Sequence, residues 1–145
     1  MNHLKLHHEH QATVYRVPDG DGIEVFIDRS LLRIRLRHVD APESGQPYAR
    51  EATLFLRRLC LNKLVTFRIH KWDNYSRAIA DVELKDGPDL GMALTQAGLA
   101  WWYRRYSRAA VFAEAQKHAQ QKRNGLWKDP NPTPPWEYRR RKVKR

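Results

Sequence analysis

Alternating apolar and polar residues run through most of the first half of the chain. In "LLRIRLRHV", Leu32, Ile34 and Leu36 fall on one face of an extended segment and arginines fall on the other. The stretches "ATVYRV", "IEVFI", "KLVTFRIHK" and "RAIADVEL" show the same period of two. Turn residues such as "DGDG" separate the first two of these stretches. The pattern therefore predicts five β-strands, each with one face towards a core.

Helical spacing replaces this alternation in three places. The first has apolar residues three and four positions apart after Pro47, namely Ala49, Ala52, Leu56 and Leu59. The second is bounded by Asp89 as N-cap and Gly98 as stop, and the third begins at Ser107 and ends near residue 124. Five strands with one helix between the third and fourth, and about three helices in all, predict an α+β fold. Its core is expected to be a five-stranded OB-fold β-barrel.

The two ends of the chain lack these patterns. Residues 1–11 contain four of the seven histidines and are expected to form a disordered, His-rich leader, although such a cluster could also bind a transition metal. Residues 12–128 are expected to form one barrel domain. Residues 129–145 are rich in proline and then strongly basic, which predicts an irregular or flexible tail.

The net charge of the chain indicates which kinds of molecule it is expected to bind. The 145 residues include 27 Lys+Arg and 16 Asp+Glu, for a net charge of +11. Such an excess favours polyanions, chiefly nucleic acid and secondarily an anionic membrane surface. No stretch approaches the roughly 20 apolar residues of a membrane span, and no basic amphipathic helix is apparent, so no membrane role is expected. The start lacks the apolar region of a signal peptide. The chain is therefore expected to be cytoplasmic if its start is native, and secreted or periplasmic if it is a processed form.

Carboxylates and arginines meet at three predicted turns or strand ends. Phosphodiester hydrolysis needs oxygen ligands for a hard cation, cationic groups for the phosphate, and a group that activates water. The acids in loop-like positions are Asp19, Asp21, Asp40, Glu43 and Asp73, and each of the three turns or strand ends offers a carboxylate, an arginine or both. Taken alone, Asp40 and Glu43 in "DAPE" are more often a solvated turn than a catalytic pair.

Seven short motifs occur in a fixed order between about residue 12 and residue 139. They are "VPDGDGIEV", "RLRHVDAPE", "PYAREA", "DNYSR", "ALTQAGLAWWYRRY", "KRNGLW" and "PWEYR". In this order the chain resembles the thermonuclease family, the staphylococcal-nuclease-like domains. The resemblance implies a Ca²⁺-dependent, sugar-non-specific endonuclease that hydrolyses DNA and RNA and leaves 3′-phosphate ends. It also implies a monomer that favours single-stranded or locally melted substrates.

The same resemblance implies roles for individual acids. Asp21 and Asp40 correspond to metal-binding carboxylates, with the main-chain carbonyl of Ala41 as a further ligand. Asp19 corresponds to a supporting acid of the metal loop, which is the turn "DGDG" at residues 19–22. Glu43 corresponds to the residue that activates or positions the attacking water.

The resemblance also implies roles for basic and aromatic residues. Arg35 and Arg77 correspond to residues that hold the phosphate and stabilise the transition state. Tyr75 and Tyr106 correspond to aromatics that contact the nucleotide. The chain departs from the family where Gly22 replaces a threonine of the metal loop.

One alternative from another class stays open. Some nuclease-like OB domains bind single-stranded nucleic acid without cutting it, and these typically lack the catalytic acids. This chain keeps the acids, which favours the enzyme.

Overall fold

A closed five-stranded barrel forms the centre of the computed structural model, which describes residues 4–143. The strands of the chain, in order, are β1 (Glu9–Asp19), β2 (Gly22–Ile27), β3 (Ser30–Leu36), β4 (Val39–Asp40), β5 (Leu64–Trp72), β6 (Ala78–Leu84) and β7 (Trp101–Trp102). The barrel order is β1-β2-β3-β6-β5, and β4 pairs with β7 in a separate two-stranded sheet. Because β3 and β6 run parallel while the other barrel pairs run antiparallel, the barrel is mixed. The predicted α+β barrel is confirmed.

The predicted alternation describes the barrel core well. Leu32, Ile34 and Leu36 are each 1% exposed, and they point inwards from β3. The corresponding residues of β5 and β6 are also buried, namely Val65, Phe67, Ile69, Ala78, Ala80 and Val82. Apolar burial on this scale is the main force that closes the barrel.

Four α-helices lie outside the barrel within residues 4–143, one more than expected. They are α1 (Ala49–Cys60), α2 (Leu90–Gln96), α3 (Ala110–Gln121) and α4 (Pro135–Val143), and a short 3₁₀ helix spans Gly125–Lys128. None of the helices in residues 4–143 is long and apolar enough to cross a membrane.

The predicted limits of α2 are confirmed, and the predicted start of α3 is wrong. Asp89 caps α2 by accepting a hydrogen bond from the Met92 N–H at 2.9 Å. Gly98 follows the helix with φ +72°, a conformation that suits glycine. Helix α3, however, starts at Ala110 rather than beside Ser107. The Ser107 hydroxyl lies 2.7 Å from His38 Nδ1 and so takes part in a tertiary contact.

Both ends of the described chain differ from the expectation. The expected leader is ordered from residue 4: Leu4 is 7% exposed and β1 already begins at Glu9, paired with β5. Burial of Leu4 and the contact of His10 with Phe67 give this segment a reason to be ordered. Residues 1–3, including one histidine of the cluster, lie outside the described residues.

The expected irregular tail contains helix α4. Pro135 starts it, a position where proline costs no hydrogen bond. Arg140, Arg141 and Lys142 lie in the last turn, where positive charge complements the helix dipole. The Trp136 ring stacks on Tyr103, with centroids 5.5 Å apart and an interplanar angle of 6°. This contact attaches α4 to the barrel domain, next to the cavity described below.

Candidate active site

One cavity of about 630 Å³ brings the predicted site side chains together. Its lining includes Asp19, Asp21, Arg35, Asp40, Glu43, Tyr75, Arg77 and Tyr106. Ala41, predicted to contribute only its carbonyl, is 4% exposed and follows Asp40 directly. Residues from the β1–β2 turn, the end of β3, β4, the β5–β6 loop and α4 meet here.

Strand register explains this convergence. Arg35 of β3 pairs with Gly22 at the start of β2, and the Leu36 N–H donates to the Asp21 carbonyl at 2.8 Å. The turn with Asp21 therefore lies beside Arg35. On the other side, Arg35 pairs with Ile79 of β6, so the loop that ends at Arg77 also lies next to it.

Arg35 is mostly buried and holds the acidic residues together. Its Nη1 donates to the carbonyls of Leu36 and Val39, both at 2.9 Å. Its Nη2 donates to Asp40 Oδ1 at 3.1 Å and lies 3.5 Å from Asp21 Oδ2. Only Nε lacks a partner among residues 4–143. Burial alone would lower the pKa of Arg35, but the charges of Asp21 and Asp40 outweigh it and raise this pKa.

The three aspartates of the site are crowded. Asp40 is fully buried, and burial raises its pKa in spite of two arginine partners. Burial, followed by the nearby charge of Asp21, raises the pKa of Asp19 to about 6. Asp21 itself accepts the Ala41 N–H at 2.8 Å. Crowded carboxylates are stabilised by a bound cation, because it relieves their mutual repulsion.

The donor set agrees with a hard cation of the calcium class. No group of three or more His, Cys, Asp or Glu side chains within residues 4–143 is arranged to hold a metal ion. Calcium also accepts backbone carbonyls and water as ligands, so two aspartates and one carbonyl can begin a site. Asp21 and Asp40 both approach the same guanidinium nitrogen of Arg35, at 3.5 Å and 3.1 Å, so the two carboxylates lie close to each other. The metal assignment of these residues stays a prediction.

Arg77 has a more exposed setting than Arg35. Its Nε donates to Asp73 Oδ2 at 2.7 Å, and Asp73 also accepts the N–H groups of Tyr75 and Arg77. Partial burial would raise the pKa of Asp73, but these hydrogen bonds outweigh it and lower the pKa. The two terminal nitrogens of Arg77 have no hydrogen-bond partner in the described part of the chain. They are therefore available as hydrogen-bond donors.

The two predicted nucleotide-contacting tyrosines are exposed. Tyr75 is 71% and Tyr106 is 61% exposed. The guanidinium of Arg77 lies 5.9 Å from the Tyr75 ring centroid, so a cation and an aromatic face stand together at the edge of the cavity.

Arg139 of α4 is a site residue that the sequence did not indicate. Its Nη2 donates to Asp40 Oδ2 at 2.7 Å, and its Nη1 donates to Asp40 Oδ1 at 3.1 Å. Nη1 also donates to Glu43 Oε1 at 2.6 Å, and Nη2 contacts the Tyr103 hydroxyl at 3.2 Å. Burial would lower the pKa of Arg139, but the hydrogen bonds to Asp40 and Glu43 raise it. The motif "PWEYR" was the one available signal, but the basic run around it predicted solvated charge.

The chain matches known proteins over most of its length. The pattern of the family described as "Staphylococcal nuclease homologue" matches residues 33–129. The chain belongs to this family. The match includes Arg35, Asp40, Glu43 and Arg77, while Asp21 and Arg139 lie outside it.

Similar proteins from several organisms carry nuclease names. A protein of Escherichia coli O157:H7 named "Uncharacterized endonuclease" is 41% identical over 129 residues, covering 89% of this chain and 84% of that protein. "Micrococcal nuclease" of Shigella flexneri is 35% identical, covering 90% of this chain and 80% of that protein. "Staphylococcal-like nuclease CAN1" of Arabidopsis thaliana is 35% identical, covering 94% of this chain and 42% of that protein. The predicted family resemblance and the predicted enzyme class, a nuclease of this family, are confirmed.

Proposed function

We propose that the protein is a Ca²⁺-dependent, sugar-non-specific endonuclease that hydrolyses phosphodiester bonds of DNA and RNA and leaves 3′-phosphate ends. One observation carries the proposal. Crowded aspartates, the carboxylate of Glu43 and an arginine with free terminal nitrogens line the same cavity. These are the groups that hydrolysis of a phosphodiester requires.

Asp21, Asp40 and the carbonyl of Ala41 would hold the calcium ion. When bound, the ion supplies Lewis acidity to the phosphate and neutralises its developing charge. Arg35 fixes the positions of both aspartates through a single nitrogen. Asp19, next to Asp21, adds negative charge to the metal loop without a required direct contact.

Glu43 would accept a proton from the attacking water. Its side chain is 39% exposed, so water reaches it, and it lies close enough to Asp40 for one arginine to bridge the two. A positioned carboxylate of this kind contributes about 10²–10⁴-fold to the rate.

Arg77 would bind the phosphate with its two terminal nitrogens, a planar fork that matches two phosphate oxygens. Arg35 would contribute its remaining Nε. Tyr75 and Tyr106 would stack on bases, which requires unpaired bases and so favours single-stranded or locally melted substrates.

The test compares Glu43→Gln with the wild type and with Glu51→Gln as matched control. The Glu51→Gln substitution makes the same chemical change in the first turn of α1, at a residue that does not line the cavity. Each protein is incubated with plasmid, single-stranded DNA and RNA in Ca²⁺, in Mg²⁺ and in EDTA. We expect wild type and Glu51→Gln to cut the substrates in Ca²⁺. The cleavage rate of Glu43→Gln should be roughly 10²–10⁴-fold lower. All three proteins should still bind the nucleic acid. Dephosphorylation of the product 3′ ends identifies the bond that is cut.

A non-catalytic module that binds single-stranded nucleic acid is the second candidate. It is favoured by the contacts of Arg139, which engage both Asp40 and Glu43. If folded wild-type protein binds the substrates but leaves them intact in every metal, this second candidate replaces the nuclease proposal.

A further inference from the structure

Arg139 binds the carboxylates of both Asp40 and Glu43. In the proposed function, Asp40 holds the metal ion and Glu43 activates the attacking water. The guanidinium of Arg139 is held at 2.7 Å by Asp40 Oδ2 and at 2.6 Å by Glu43 Oε1. The two carboxylates are 99 and 96 residues away in sequence, so α4 must be docked for this contact to form.

We propose that Arg139 is an internal counter-cation that competes with the metal ion for Asp40 and Glu43. In the metal-free protein it neutralises both acids, and metal binding displaces it. The inference rests on the proposed function, because it takes Asp40 as a metal ligand.

The hydrogen bonds of Asp40 are the first reason for competition. Its Oδ1 accepts from Arg35 and from Arg139, which fills the two lone pairs of that oxygen. Its Oδ2 accepts from Arg139 and has one lone pair left. A calcium ion binds a carboxylate oxygen at about 2.3–2.6 Å. It would therefore share Oδ2 with a guanidinium nitrogen that is already 2.7 Å away.

Burial is the second reason. Asp40 is 0% exposed, so little solvent separates two cations that bind the same carboxylate. Repulsion between like charges is strong at such distances, and salt screens it weakly in a buried setting. Simultaneous binding is therefore unfavourable, and each cation weakens the binding of the other.

Arg139 is also the cation that can leave. Its side chain is 37% exposed, whereas that of Arg35 is 13% exposed and fixed to two backbone carbonyls. The stacking of Trp136 on Tyr103 holds α4 independently of Arg139. Rotation of one side chain can therefore clear Asp40 while the helix stays docked.

Calcium titration by calorimetry, without substrate, tests the competition directly. The proteins are wild type, Arg139→Gln and Arg140→Gln, all full length. Arg140 is the neighbouring arginine on α4 and pairs with Glu137 on its own helix, so its replacement is the matched control. We expect Arg139→Gln to bind Ca²⁺ about tenfold or more tightly than wild type, because it no longer has to displace an occupant. Arg140→Gln should match the wild type.

Thermal melting in EDTA supplies a second readout. In EDTA, Arg139→Gln should melt at a lower temperature than wild type, because Asp40 loses a partner. Added Ca²⁺ should raise the melting temperature of Arg139→Gln by more than that of wild type. Arg139→Lys keeps a charge but loses the fork, so it should bind Ca²⁺ with intermediate affinity. This second variant also decides the matter if Arg139→Gln does not fold.

The outcomes separate this inference from the function on which it rests. If wild type binds Ca²⁺ and both Arg139 variants bind it equally or more weakly, the competition is refuted while the metal site stands. Arg139 would then hold Glu43 in place alongside the metal. If no folded variant binds Ca²⁺, both the competition and the proposed metal site fail.

Discussion

Replacing Arg35 or Arg77 by lysine should distinguish a role in fold stability from a role in catalysis. Both changes keep the positive charge and remove the planar fork. Arg35 makes two backbone contacts and two carboxylate contacts and is 13% exposed. Arg77 pairs through Nε with Asp73 and is 33% exposed. The two positions therefore differ in how much of the fold depends on them.

The magnitudes follow from what each change leaves unpaired. Lysine cannot reproduce the four contacts of Arg35, so two carbonyls and the buried Asp40 lose a partner. Lysine keeps the positive charge and Asp40 keeps two hydrogen bonds from Arg139, so the cost is that of buried acceptors left unsatisfied, about 1–3 kcal/mol. Asp73 keeps two backbone N–H donors after Arg77→Lys, so that change should cost less than about 1 kcal/mol. Both should lower turnover by roughly 10²–10³-fold, the scale for loss of one stabilising donor group.

Urea denaturation in EDTA and plasmid cleavage in Ca²⁺ measure the two effects separately. We expect Arg77→Lys to lose activity at nearly wild-type stability, and Arg35→Lys to lose both. If Arg35→Lys unfolds at the wild-type urea concentration, Arg35 does not hold the acids as described. If Arg77→Lys cleaves at the wild-type rate, Arg77 does not bind the phosphate.

Three further predictions concern the cavity edge, a loop and the core. Tyr75→Ala should weaken binding of single-stranded DNA by about 1–3 kcal/mol in an anisotropy titration, and unchanged affinity would exclude base stacking on Tyr75. Gly98→Ala should lower the free energy of unfolding by more than about 1 kcal/mol in urea, because φ is +72° and the new Cβ would lie 2.1 Å from the Asn124 carbonyl oxygen. Burial raises the pKa of Cys60 to about 12, so native protein at pH 8.5 should react with a thiol reagent roughly a thousandfold more slowly than unfolded protein. Fast labelling of the native state would contradict the burial of Cys60.

The barrel could be predicted from sequence because its strands have a regular alternation. In β3 the inward positions Leu32, Ile34 and Leu36 are apolar without exception, and each is buried. Asp40 could also be placed beside Arg35, since the two are five positions apart and a strand end lies between them. Local pattern and short separation therefore carried these predictions.

Helix α4 and Arg139 could not be predicted in this way. The segment has no apolar periodicity, and charged residues dominate its second half. Its position depends on the stacking of Trp136 on Tyr103, a contact between distant parts of the chain. Among several neighbouring arginines, only the docked helix determines that Arg139 reaches Asp40.

The departure at Gly22 has a local explanation that the sequence could not supply. A Cβ at this position would lie 2.8 Å from Asp19 Oδ1. Asp19 uses the same oxygen to accept the Asp21 N–H at 3.2 Å, so it folds over its own turn. The glycine thus leaves room for Asp19, where the threonine usual in the family would require that side chain to shift.

The charge of the cavity differs from the charge of the whole protein. The chain carries +11, but the described cavity lining, its histidines aside, has five acids and five cations: Asp19, Asp21, Asp40, Glu43 and Asp73, with Arg35, Arg37, Lys71, Arg77 and Arg139. The cavity by itself is therefore formally neutral, and the attraction for a polyanion comes from the surrounding surface. A bound divalent cation would make the cavity net positive, where the proposed function places the phosphate. Nucleic acid is therefore expected to associate with the protein in EDTA through salt-sensitive surface contacts, while a phosphate should enter the cavity only when calcium is present.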